Sequence, residues 1–161
     1  SISVISSYIS RKHQGGRAMK VTKIMTKDPA ACTPEMSLRE VAHLMVEHDC
    51  GAIPVVENFE TMKPVGIVTD RDIVVNTVAV GKDPLMMTAA EIMSFPPEFV
   101  TTDATVGECL KLMEKDMIRR MLVVNEENSL AGIVAQADVA RHMREEKTAE
   151  FIKDVSMAHR A

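Results

Sequence analysis

Two stretches of the chain carry the residue types from which a polar binding site is made. Gly66-Ile67-Val68-Thr69-Asp70-Arg71-Asp72 ends an apolar run in a hydroxyl, two carboxylates and a guanidinium. A near-copy from Gly132 to Ala140 keeps Gly132, Ile133, Val134 and Asp138, but has Ala135 for Thr69 and Ala137 for Arg71. A strand that turns into a helix at Thr69 aims free backbone N–H groups and a hydroxyl at one point, which suits a phosphate. Asp72 can accept two hydrogen bonds from a vicinal diol such as the 2′- and 3′-hydroxyls of ribose, and Arg71 lies close enough to reach a polyphosphate. Thr69-x-x-Asp72 is also the pattern of a capping box, in which both side chains satisfy a helix start and no ligand is needed. Both readings are open at this point. Asp138 persists where the hydroxyl is gone, which a reciprocal box does not predict.

These residues sit in a duplication. Ile24-Met25-Thr26 returns as Ile92-Met93-Ser94, Thr33 as Thr101, Leu44-Met45 as Leu112-Met113 and Val55-Val56 as Val123-Val124, all 68 residues apart. Gly66 returns as Gly132 after 66, so the second copy is two residues shorter between its last two strands. One supersecondary unit therefore occurs twice.

Each copy reads as a short strand (near Ala30 to Thr33, or Phe99 to Thr101), then a helix with apolar residues at helical spacing. Ser37 is the expected N-cap of the first helix. An apolar strand follows (Ala52 to Val56, or Met121 to Val124), then a turn-rich segment, a second apolar strand (Val65 to Val68, or Ala131 to Val134) and a second helix. Strands apolar throughout and alternating with helices indicate an α/β (α+β) chain with small sheets covered by helices. The expected divisions are 1–18, a vector-derived or accessory leader; 19–80, the first repeat; 81–87, a linker; 88–145, the second repeat; and 146–161, a C-terminal helical extension whose apolar stripe is Phe151, Ile152, Val155 and Met157.

Ile24-Met25-Thr26, Ser37-Leu38, Ala52-Ile53-Pro54-Val55-Val56 and Gly66 to Ile73 together resemble a CBS domain, the cystathionine β-synthase repeat. The second copy resembles it as well, so nearly everything after Met19 is similar to a tandem CBS repeat, a Bateman module. The resemblance implies two β-α-β-β-α units packed around a pseudo-twofold axis, with two clefts that bind AMP, ADP, ATP or S-adenosylmethionine. It implies a regulatory, non-catalytic sensor that needs no cofactor, pairs into a homodimer and acts on an enzyme or transporter in trans. The remaining alternative is a structural dimerisation module with vestigial clefts.

In that family a hydrophobe, then Ser or Thr, two spacers and Asp meets the ribose and phosphates; here the pattern falls on Ile67, Thr69 and Asp72. By position, Pro29, Ala30, Cys32, Cys50, Gly51, Ala52 and Ile53 would complete the first cleft with an apolar slot for adenine. Pro97, Glu98, Phe99, Ile118, Arg119, Arg120 and Met121, with Ile133, Ala135 and Asp138, would complete the second. Arg119 and Arg120 stand where the first copy has Gly51 and Ala52. Two arginines there could clamp a di- or triphosphate, or equally pair on the surface with Glu108, Glu114 or Asp116.

Other chemistries find little support. A net charge of -4 provides no basic field for nucleic acid or an anionic membrane. No apolar run approaches the roughly 20 residues of a membrane span, and the expected location is cytoplasmic. Cys32, Cys50 and Cys109 are too few and too scattered for a disulfide framework and read as buried small hydrophobes. His13, His43, His48, His142 and His159 show no metal-ligand spacing, and no P-loop, G-x-S-x-G or G-x-G-x-x-G occurs.

Overall fold

The computed structural model describes residues 19–145. The leader 1–18 and the extension 146–161 expected from the sequence lie outside the described residues. Helices α1 (Leu38–Glu47), α2 (Asp70–Asn76) and α3 (Val106–Lys115) are followed by α4, residues 136–145. The strands are β1 (Thr26–Lys27), β2 (Ala52–Val56), β3 (Pro64–Thr69), β4 (Phe99–Thr101), β5 (Arg120–Val124) and β6 (Leu130–Ala135).

The two long helices start and stop on the same local chemistry. Ser37 and Thr105 cap α1 and α3, each accepting from the N–H of a glutamate three residues on, Glu40 or Glu108. The glutamate carboxylates reach back to the cap N–H groups, at 3.0 Å for Ser37 and 2.8 Å for Thr105. At the other end Asp49 (φ 48°) and Met117 (φ 54°) adopt the left-handed conformation that ends a helix, and Cys50 and Ile118 donate to Met45 and Met113 at 3.0 Å. Each helix buries one stripe, Leu38, Val41 and Met45 or Val106, Cys109, Leu110 and Met113, and exposes the charged one.

The boxes make a pH prediction. The Ser37 hydroxyl first, and its N–H second, hold Glu40 below the usual glutamate range; for Glu108 the Thr105 N–H comes first and the hydroxyl second. A folded pKa below the unfolded one adds stability above the unfolded value, and that stability is lost as pH falls through the folded value. Denaturation midpoints are therefore expected to fall as pH drops from about 6 to about 3, and less steeply in Glu40→Gln/Glu108→Gln. An unchanged slope in that variant would refute the assignment.

The chain forms two compact units. Among the described residues, one contains Thr26–Thr102 and Leu122–Ile133; the other contains 19–25, Asp103–Met121 and 134–145. In the first, β2 is buried along its whole length and pairs antiparallel with β3. The four-stranded sheet runs β1-β6-β5-β4, with β4 parallel to β5 through Val100↔Val123. The first copy repeats this parallel pairing at the equivalent positions, but only as a single bridge, Cys32↔Val55. Pro34, at the position of Thr102, has no N–H with which to repeat the 3.0 Å bond that Thr102 donates to Val124, so the expected strand does not extend there. Its main core gathers Cys32, Leu38, Val41, Ile53, Val55, Val68, Ala89 and Ile92. The second unit buries Val21, Val106, Leu110, Met113, Met121 and Val139.

The segment leading into each copy is held by the other copy. Met87 accepts from the Leu38 N–H at 2.9 Å, and Ala89 donates to Met36 at 2.9 Å. The equivalents are Met19 with Val106 and Val21 with Ala104, also at 2.9 Å. In both cases a strap carbonyl satisfies an amide of a helix's first turn that has no partner within its own helix. Further along, Ser94 exchanges both backbone bonds with Ile67, while Thr26 and Lys27 pair with Ile133 and Gly132. The repeated Ile-Met-Thr/Ser motif is thus a crossover clamp on the partner repeat's Gly-Ile-Val strand.

Candidate functional site

The first candidate site is built where β3 turns into α2. Thr69 is the last residue of β3 and the N-cap of α2. Its hydroxyl accepts from the Asp72 N–H at 3.1 Å, and Asp72 Oδ2 accepts from the Thr69 N–H at 2.8 Å. The capping box is therefore made in full. It leaves Asp72 Oδ1 without a hydrogen bond among the described residues, on a side chain that is half-buried. Alongside, Ala52 is the register partner of Thr69, and Gly51 accepts from the Asp70 N–H at 3.1 Å. Thr69, Asp72, Gly51 and Ala52 are thus one contiguous edge.

The other residues expected here divide by burial. Ala30 and Cys50 are half-buried and pack against the main core, in which Cys32 and Ile53 are wholly enclosed. Arg71 is exposed and makes no ion pair among the described residues. Burial pushes the Cys32 and Cys109 thiols up to about 12, so neither is a nucleophile at neutral pH. Alkylation of the native protein is accordingly expected to reach Cys50 alone, with Cys32 and Cys109 modified only after denaturation. Rapid labelling of three thiols in the native state would contradict this.

The equivalent turn between β6 and α4 keeps only part of this pattern. Gln136 donates to Arg119 at 3.0 Å, as Asp70 does to Gly51, and the Ala135 N–H donates to Asp138 Oδ2 at 2.9 Å. The carboxylate half of the box survives without the hydroxyl, so the persistence of Asp138 is explained by capping. This overturns the sequence argument that set Asp138 against a box. Asp138 Oδ1 is also engaged, by the Arg141 guanidinium one turn further along α4. Sequence reasoning passed over Arg141, although its i,i+3 spacing from Asp138 was a visible signal.

Arg119 is exposed, Arg120 half-buried and Met121 wholly buried. Neither arginine pairs with Glu108, Glu114 or Asp116. Ile67 and Ile133, expected in separate sites, pack against one shared cluster of Val56, Leu122 and Leu130. Among the described residues no group of three or more His, Cys, Asp or Glu side chains could hold a metal ion.

Residues 21–76 and 89–145 each match the CBS domain. The chain belongs to the CBS-domain family. Hypoxic response protein 1 of Mycobacterium tuberculosis (strain H37Rv) is 38% identical over 119 residues, 74% of this chain and 81% of that protein. A crystal structure of Hypoxic Response Protein I with two coordinated zinc ions matches with a TM-score of 0.67 at 35% identity, covering 77% of this chain and 98% of the other. The CBS domain-containing protein YhcV of Bacillus subtilis (strain 168) is 35% identical over 137 residues, 84% of this chain and 94% of its own. The CBS domain pair of protein MJ0100, crystallised in complex with 5′-methylthioadenosine and S-adenosyl-L-methionine, matches with a TM-score of 0.71 at 27% identity over 81% of this chain and 99% of that one. The duplication is therefore a CBS pair, and the clamp motif and the Thr69–Asp72 turn are parts of its two repeats.

Proposed function

We propose that this CBS pair is a non-catalytic sensor that binds an adenosine-containing ligand, AMP, ADP, ATP or S-adenosylmethionine, at the Thr69–Asp72 turn. The observation that carries the proposal is the open Oδ1 of Asp72, held by its own cap beside the Gly51–Ala52 edge. A carboxylate fixed through one oxygen presents the other to a ribose diol. The adenosine ligands of the MJ0100 pair support the ligand class. The buried, protonated thiols, together with a candidate site that contains no nucleophile with an adjacent base, favour sensing over catalysis. Such a sensor works where adenine nucleotides are, which places it in the cytoplasm as part of the same proposal.

The signal would travel through the clamps. Ile67, bonded to Ser94 of the strap leading into the second repeat, lies two residues before Thr69. A ligand that prefers one arrangement of the turn therefore biases the strap, and an enzyme or transporter in trans reads the outcome. Thermal melts with AMP, ADP, ATP and S-adenosylmethionine test the reading, since a ligand of the native state must raise the melting temperature.

A second reading is favoured by one feature, the apolar face formed by Val46, Val74, Val75, Val78, Leu85 and Met86, all exposed on α1, α2 and the short turns that follow. It supports a second copy of the chain as partner. A module that only dimerises would keep this face and show melts that ignore every nucleotide.

A further inference from the structure

We infer that Arg141 reserves Asp138 and closes the second repeat to ribose-bearing ligands, leaving one adenosine site per chain; the inference rests on Asp72 being the ribose carboxylate of the first repeat. Three differences between the equivalent turns point the same way. Thr69 is replaced by Ala135, which removes the hydroxyl donor. Val75, the counterpart of Arg141, cannot reach a carboxylate, so Asp72 keeps Oδ1 open. Asp138 instead has Oδ2 on the Ala135 N–H and Oδ1 on Arg141.

The guanidinium is a strong competitor for that position. Its bond to the carboxylate is charge-assisted, whereas a ribose hydroxyl would offer a neutral donor in its place. It is also tethered one helical turn away, so the competitor is always present and no ligand concentration dilutes it. The Asp138 side chain is only 18% exposed, against 63% for Arg141, so the pair joins a mostly buried carboxylate to a largely exposed arginine. An anion drawn by Arg119 and Arg120 would have to bind without a diol on Asp138.

Titration calorimetry of the full chain with AMP and with ATP tests this. One equivalent per chain is expected for the wild type and for Asp138→Ala. Two are expected for Ala135→Thr/Arg141→Val, which carries the first repeat's residues into the second. Circular dichroism melts establish that each variant is folded. Two equivalents in the wild type, loss of the single equivalent in Asp138→Ala, or no additional binding by the double variant would each overturn the inference. A wild type that binds nothing beside a double variant that binds one equivalent would retain Arg141 as the closing residue and refute the first-repeat site. A readout without ligand is the side-chain nitrogen spectrum of Arg141, whose restricted guanidinium rotation is expected to vanish in Asp138→Asn; identical spectra would also overturn the assignment.

Discussion

Replacing Asp72 by alanine is expected to weaken adenine-nucleotide binding by about ten- to a hundredfold while the chain stays folded. Hydrogen bonds to a charged group contribute about 1.5–3 kcal/mol each, and every 1.4 kcal/mol is about tenfold in affinity. The same substitution removes the carboxylate half of the α2 cap, which costs about 1 kcal/mol of stability. Affinity and stability must therefore be measured separately, by calorimetry and by denaturant titration. Thr69→Ala breaks the other half of the box and leaves Oδ1 of Asp72 in place, but it also removes the hydroxyl donor of the site, so it is expected to lose affinity too and is no neutral control. If Asp72→Ala bound nucleotide as well as the wild type, Asp72 would be a cap and nothing more.

The second large effect belongs to Gly66, under the clamp. A Cβ built there would lie 2.7 Å from Met93 Sδ, 3.1 Å from Met93 Cγ and 3.1 Å from the Ser94 carbonyl oxygen. The sulfur is at the flexible end of a side chain and can move; the carbonyl is held by the Ile67–Ser94 backbone bonds and cannot move without breaking them. Gly66→Val is accordingly expected to destabilise by about 3 kcal/mol, and Gly66→Ala by about 1–2, as for overpacked sites generally. Met93→Ala should recover part of the Gly66→Ala loss, since it removes the sulfur and leaves the carbonyl. A double-mutant cycle with strictly additive effects would show that strap and strand are not in the contact described here.

Much of this architecture could be read directly from residue order. Ser37-x-x-Glu40 announced a helix start because a capping box is local chemistry, complete within four residues. Ala52 to Val56 announced a buried strand because an unbroken apolar run has few other uses at that length. Thr69 and Asp72 were visible for the same reason, and their contact in the structure is the local one.

What stayed hidden depends on contacts that sequence spacing does not encode. The Ile-Met-Thr/Ser motif was seen twice, yet nothing in its period says that each instance lies on the other copy's strand. Asp138 looked like a relic of a ligand site until the Ala135 N–H and Arg141 were found on its two oxygens. Ile67 and Ile133 belonged to two separate sites on the page and to one apolar cluster in space.

The sequence by itself determined the duplication, the family, the helix starts and the two candidate turns, since each is written in short-range residue patterns. Only the tertiary structure decided which carboxylate oxygens are already engaged, which buried residues are core rather than lining, and which repeat each strap holds. Those outcomes turn on hydrogen bonds and packing between residues as much as 107 positions apart, as Thr26 of β1 and its register partner Ile133 of β6 are, and no local pattern carries that distance.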